Sequence, residues 1–119
     1  MKMNWLDCIR QSERLAVAAK SAARSGDVPH SKALYAEAAK YNEQALNLTD
    51  HSKPRTLGIE AIGTVALYCL AGQLEEASRV AFQCMGYKEF PQFAVAEIFD
   101  MLGDIHPNKE VRRWKPKKR

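Results

Sequence analysis

Residues 65–86 read VALYCLAGQLEEASRVAFQCMG, which places two apolar-striped segments on either side of Gly72. Apolar residues three and four positions apart in both segments predict amphipathic helices. Glycine readily adopts the left-handed conformation that ends a helix, so Gly72 predicts a sharp turn. Tyr68 and Ala77 flank this turn at short distance and are expected to be buried against each other. The stretch therefore predicts an antiparallel helical hairpin over a very short loop.

Residues that start or end helices recur along the chain and predict five helices. Asn4 and Ser52 are candidate N-caps, and prolines fall near the starts of three helices, where the missing N–H is tolerated. Glycines are expected to end the helices, with Gly103 ending the last one. No segment alternates cleanly at period two, so the expected class is all-α. The predicted helices cover about residues 4–25, 29–48, 54–71, 74–85 and 91–103.

Each predicted helix carries one apolar stripe that we expect to face a shared core. The large side chains that the stripes place inward near helix ends include Trp5, Leu48, Leu70 and Phe93. The chain has 119 residues, 46% hydrophobic and 27% charged, which suits one globular domain. Few aromatic residues and many alanines favour closely packed helices, and we expect a single helical domain over residues 4–103.

Composition excludes several classes of protein. The balance of apolar and charged residues does not fit a collagen-like, wholly disordered or membrane-embedded chain. The most apolar stretch, residues 61–71, is too short for a bilayer, which needs about 20 residues. Cys8, Cys69 and Cys84 are odd in number, widely spaced and placed on apolar stripes, so we expect reduced thiols. Together with a start that lacks the apolar region of a secretory signal, this predicts a cytoplasmic protein.

Charge is distributed unevenly along the chain. Residues 1–105 hold 11 Lys and Arg against 13 Asp and Glu, whereas residues 106–119 hold seven against one. Residues 104–119 are therefore expected to form a basic, flexible tail. Clustered cations beside a tryptophan can neutralise phosphates and stack on a base, or contact an acidic protein surface. The candidate binding residues are Arg112, Arg113, Trp114, Lys115, Lys117, Lys118 and Arg119.

The central hairpin resembles the tetratricopeptide repeat, a helix–turn–helix unit of 34 residues. That family has an aromatic residue late in the first helix, a glycine at the turn and a small residue early in the second helix. This chain has Tyr68, Gly72 and Ala77 at those offsets, while Val65 stands where the family has a small residue. The family's closing proline is displaced to Pro91. An earlier hairpin shares some positions of the pattern, namely Ala19, Gly26, Tyr35 and Ala38, but its second helix is about two turns too long.

The resemblance implies a short array of stacked antiparallel helical hairpins, because one hairpin alone cannot bury its apolar face. It also implies a small adaptor that binds a protein or peptide partner on a helix-lined surface, without catalysis and without a cofactor. Asn4, Asn42 and Asn47 are candidates to line such a surface. The family's basic clamp for a peptide carboxylate needs residues across three repeats, and this chain lacks them at matching places.

Two alternatives remain open from the sequence. One is a nucleic-acid-associated factor in which the basic tail supplies affinity. The other follows from Arg24-x5-His30, which resembles the spacing of the Arg and His pair in the HEPN ribonucleases and implies an RNA-cleaving domain or an inactive relative. No metal site is predicted, because His30, His51 and His106 lie in separate loops and the chain has no CxxC.

Overall fold

The computed structural model describes residues 3–105, which form five α-helices and, within that range, no strand. Each helix packs against the next one in the chain, and the fifth helix packs against both the third and the fourth. This confirms the predicted all-α class and the arrangement of antiparallel hairpins. The helices are α1 (Trp5–Arg24), α2 (Val28–Asn47), α3 (Pro54–Leu70), α4 (Leu74–Met85) and α5 (Gln92–Ile105).

Both hairpin turns are built on a left-handed glycine, as the sequence predicts. Gly26 follows α1 with φ of 85°, and Gly72 follows α3 with φ of 77°. At the second turn the Gln73 N–H donates to the Tyr68 carbonyl at 2.9 Å, and the Gly72 N–H donates to the Cys69 carbonyl at 3.0 Å. This pair of bonds is the Schellman motif, which satisfies carbonyls that the helix leaves without partners.

Two predicted helix ends are wrong. Ser52 does not cap α3: Lys53 is the N-cap, and the Ser52 N–H donates to Asp50 Oδ1 at 2.9 Å within the preceding loop. Gly103 does not end α5, which continues to Ile105. Gly103 is buried and lacks a left-handed φ, so packing keeps it helical. A glycine permits a helix to end but does not require it.

The main core lies between α2, α3, α4 and α5. Its largest fully buried side chains include Leu57, Val65, Val80 and Ile98. Tyr68 is 3% exposed and Ala77 is fully buried in the same cluster, which confirms their predicted burial. A second cluster joins α1 to the rest of the array. Among residues 3–105, none of the helices has both the length and the apolar character needed to cross a membrane.

Four of the large side chains predicted to face inward near helix ends are instead well exposed. Exposure is 37% for Trp5, 55% for Leu48, 53% for Leu70 and 43% for Phe93. Each lies within about one turn of a helix end. The neighbouring elements cover these side chains only in part: the tip of the Phe93 ring lies against Gly58 of α3, and Trp5 and Leu48 line a common pocket.

α5 approaches α3 closely at Gly58. A Cβ added at Gly58 would lie 2.7 Å from Pro91 Cγ and 2.9 Å from Phe93 Cζ, distances that real side chains do not tolerate. The absence of a side chain at this position therefore lets the start of α5 lie directly on α3. Ala94 also borders the contact, with its Cβ at 3.1 Å.

The three thiols are free. Cys8 and Cys84 are buried and Cys69 is half-buried. Burial raises the pKa of the Cys84 thiol to about 11, and it raises the pKa of the other two as well. A thiol with a raised pKa holds little thiolate at neutral pH and reacts slowly. These cysteines are placed as packing residues, and their redox state in the cell stays a prediction.

A polar network connects α1, α2 and α3 through Asn42. The Asn42 Nδ2 group donates to Thr64 Oγ1 at 2.8 Å and to the Glu60 backbone carbonyl at 3.1 Å. Asn42 Oδ1 accepts from Ser12 Oγ at 3.4 Å. Because all four residues are buried, each of these bonds satisfies a group that water cannot reach.

Glu60 carries a buried carboxyl group at this junction. The residue is 8% exposed, and burial raises its pKa; a hydrogen bond from Asn42 opposes the shift, and the negative charge of Glu13 adds to it. A raised folded-state pKa means that the ionised form is less favourable in the folded protein than in the unfolded chain. Stability therefore falls as pH rises from the ordinary value of 4.5 through the folded-state pKa.

Replacing this carboxyl group tests that linkage. Glu60→Gln should raise the free energy of unfolding at about pH 7.5 by about 0.5–2 kcal/mol. The gain should shrink at about pH 4, where the wild-type carboxyl is protonated in both states. Urea unfolding at the two pH values measures it, with the exposed Glu75→Gln as the matched control. An equal gain at both pH values, or a loss at the higher one, would contradict the assignment.

Candidate functional site

A groove of about 760 Å³ opens where α2 passes the turn between α3 and α4. Its walls come from the middle of α2, the last turn of α3 and the first turns of α4. Ligand sites in proteins range over about 300–1,000 Å³, so this space is large enough to hold a ligand. The lining residues are Lys40, Tyr68, Gly72, Gln73, Leu74, Glu75, Glu76 and Arg79.

The turn at Gly72 shapes one end of the groove. The Schellman motif holds Gln73 and the start of α4 close to the end of α3, so the two helices diverge from a fixed point. The Lys32 side chain of α2 lies over this turn, with its ammonium 3.7 Å from the position that a Cβ would occupy on Gly72. The turn thus bounds the groove at Gly72 and Gln73, and Lys32 packs against the turn.

A network of hydrogen-bonded side chains forms the floor. The Tyr68 hydroxyl donates to Glu43 Oε1 at 2.7 Å, and Arg79 Nη2 lies 2.9 Å from the same oxygen. Arg79 Nε also donates to Glu76 Oε1 at 2.8 Å. Glu43 belongs to α2, Tyr68 to α3 and Arg79 to α4. One carboxylate therefore fixes the relative positions of three helices around the groove.

Charge and burial set the ionisation of this network. Burial by itself would raise the pKa of Glu43, but hydrogen bonds from Arg79 and Tyr68, with the charge of Arg79, outweigh it and hold the pKa below its ordinary value. Burial and the bond to Glu43 raise the pKa of the Tyr68 hydroxyl. At neutral pH the floor therefore contains a carboxylate, a neutral phenol and a guanidinium.

The rim of the groove carries exposed charged side chains. Within residues 3–105, Lys40 and Glu75 form no ion pair, and both are exposed. Arg79 is paired but still 46% exposed at its side chain. Leu74 adds a half-buried apolar surface. The groove thus offers both signs of charge and an apolar contact above a rigid floor.

Comparisons with known protein families, with curated proteins and with solved structures gave no match for this chain. The groove is therefore the feature from which a function can be inferred. Within the described part of the chain, no group of three or more His, Cys, Asp or Glu side chains is placed to hold a metal ion.

The asparagines suggested by the sequence do not meet at the groove. Asn4 caps α1, with its Oδ1 accepting from the Asp7 N–H at 2.8 Å. Asn42 is buried in the network between helices, so its polar groups are already used. Asn47 is the exposed last residue of α2. The expectation that these three line a common binding surface is wrong.

Arg24 and His30 lie on either side of the turn between α1 and α2, and both are exposed. The His30 backbone N–H donates to Asp27 Oδ1, the N-cap of α2, at 3.2 Å. Neither residue lines the groove. The HEPN-like alternative stays a prediction, which RNA cleavage by the wild type and by His30→Ala would test. The seven candidate residues between Arg112 and Arg119 lie outside the described residues.

The hairpin pattern of the sequence includes two residues that line the groove, Tyr68 and Gly72, but it did not predict the groove itself. Tyr68, Gly72 and Ala77 were identified from the hairpin pattern. Arg79 and Glu76 are spaced three apart on a helix, a visible signal for a surface ion pair. Glu43, however, is 36 residues before Arg79 and carries no local signal of their contact.

Proposed function

We propose that this chain is a small helical adaptor that binds a segment of a protein partner in the groove between α2 and α4, as the tetratricopeptide-like hairpins suggest. The observation that carries the proposal is the Glu43 carboxylate network beneath an open, mixed-charge groove. Preorganised side chains reduce the ordering cost of binding. A polypeptide segment presents charged and apolar side chains in a row. One segment can therefore contact Lys40, Glu75 and Leu74 at the same time.

The expected partner segment places a carboxylate near Lys40 and a basic side chain near Glu75. Exposed pairs of this kind contribute little affinity each but select orientation, because the reversed segment would bring like charges together. Arg79 supplies the central contact, since arginine is enriched at the energetically important positions of interfaces, and the buried Tyr68 holds the Glu43 carboxylate beneath it.

Peptides selected by display on the intact chain test this proposal. Selected peptides should lose about three- to tenfold in affinity on Lys40→Glu, measured by fluorescence anisotropy. Lys20→Glu is the matched control, because Lys20 is an exposed lysine on α1 that does not line the groove. A peptide variant with the opposite charge should recover binding to Lys40→Glu. Equal affinity for both lysine variants would exclude the groove as the site.

The charge of residues 106–119 favours a second candidate, binding of nucleic acid. If about four phosphates of a single strand are neutralised, the log–log dependence of affinity on salt should have a slope near −3, from about −0.7 per phosphate. Trp114→Ala should cost about 1–3 kcal/mol if a base stacks there. Weak, unchanged retention on RNA after Arg112, Arg113 and Lys115 are replaced by Gln would reject this candidate.

A further inference from the structure

An acidic stretch is followed by a basic stretch toward the C-terminal end of this sequence. Residues 73–105 hold six carboxylates against two cations, and residues 106–119 hold seven cations against one carboxylate. Residues 1–72, in contrast, hold nine cations against seven carboxylates. A basic segment is therefore attracted most strongly to the part of the fold that directly precedes it.

One face of α5 exposes acidic side chains to solvent. Phe93, Glu97 and Asp100 are spaced four and three residues apart, which places them on the same side of the helix. All three are exposed, while Ala94, Ile98 and Leu102 on the opposite side are buried in the core. Within residues 3–105, Glu97 and Asp100 form no ion pair. This α5 face is thus aromatic at one end and acidic along its middle.

We propose that residues 106–119 of the same chain dock on the α5 face formed by Phe93, Glu97 and Asp100. The cations of the segment pair with the two carboxylates, and Trp114 contacts the exposed ring of Phe93. The inference is independent of the groove between α2 and α4, because none of these residues lines it.

The length of the segment permits this contact. Trp114 is the ninth residue after Ile105, and nine residues span up to about 30 Å when extended, at about 3.3 Å per residue. α5 has 14 residues and is about 21 Å long, at 1.5 Å per residue. A segment that leaves α5 at Ile105 can therefore turn back and bring Trp114 to the level of Phe93. Covalent attachment keeps its effective concentration high, so pairs that are individually weak act together.

Docking of the segment in cis has a consequence for its partners. A nucleic acid or an acidic protein must compete with Glu97 and Asp100 for the same cations. Salt weakens the contact by screening, because the screening length falls from about 10 Å at 0.1 M to about 3 Å at 1 M. The α5 face therefore acts as an internal competitor that only a denser array of negative charge displaces.

Acrylamide quenching of Trp114 in the full chain tests the proposal, with Trp5→Phe leaving Trp114 as the single indole. The quenching constant should be about half as large at low salt as at about 1 M salt, because docking shields the ring until screening releases it. Glu97→Gln with Asp100→Asn should raise the low-salt value to the high-salt value. Glu13→Gln with Glu37→Gln, an equal loss of exposed charge outside the groove, should leave the low-salt protection intact.

Three results would overturn the inference. The first is a quenching constant that does not change with salt. The second is equal loss of protection in both double variants, which would indicate a general charge effect. The third is protection that grows with protein concentration, which would indicate docking between two chains. Circular dichroism of each variant confirms that α5 is intact, and peptide binding by the groove stays an independent measurement.

Discussion

Ile98→Ala should lower the free energy of unfolding by about 2–5 kcal/mol, the range for removing a fully buried aliphatic side chain. Ile98 is 0% exposed and packs in the core cluster that Leu57, Val65 and Val80 form on α3 and α4. The truncation removes apolar contacts and leaves a cavity in a close-packed core. Urea unfolding followed by circular dichroism measures the loss.

Phe93→Ala provides the control on the same helix. It removes a larger side chain, but Phe93 is 43% exposed, so its truncation should cost clearly less than that of Ile98. Equal, small losses for the two variants would mean that α5 is not part of the cooperative core. The predicted domain of residues 4–103 would then end before α5.

Ala77→Leu should lower the free energy of unfolding by about 1–3 kcal/mol, because the added carbons have no room in a packed core. Ala77 is fully buried in the same cluster as Tyr68, beside the turn that begins α4. For a domain of this size the melting temperature should fall by about 5–15 °C. Because Tyr68 also anchors Glu43, peptide binding in the groove should weaken as well.

Ala33→Leu is the matched control for overpacking. Ala33 is exposed on α2, so the same change of side chain adds atoms in solvent and should alter stability by less than about 0.5 kcal/mol. An unchanged melting temperature for Ala77→Leu would show that α3 and α4 are not packed closely at this position. The hairpin of residues 54–85 would then need a different arrangement.

Local signals in the sequence predicted the helices and most of their boundaries. Gly26 and Gly72 adopt the left-handed conformation that few other residues tolerate, and Asn4 has a side-chain oxygen that caps α1. These effects depend on residues within one turn of each other, so they can be read without the fold. Where a boundary depends on distant contacts, as at Gly103, the expectation that a glycine ends the helix was wrong.

Helical spacing predicted some of the buried side chains near helix ends correctly and others wrongly. Tyr68 and Ala77 are buried as expected, whereas Trp5, Leu48, Leu70 and Phe93 are exposed. Periodicity reports which side of a helix a residue is on. It carries no information on where the neighbouring helices lie, and their placement decides which side chains near a helix end are covered.

The sequence by itself determined the all-α class, the hairpin turn at Gly72 and the charge contrast near the end of the chain. Only the tertiary structure decided that Asn42 is buried and hydrogen-bonded to residues of α1 and α3. It also decided that Glu43 binds Tyr68 and Arg79 beneath a groove. The physical reason is distance along the chain. Capping and helical periodicity act between near neighbours, whereas these contacts join residues 22 to 36 positions apart and exist only once the helices pack.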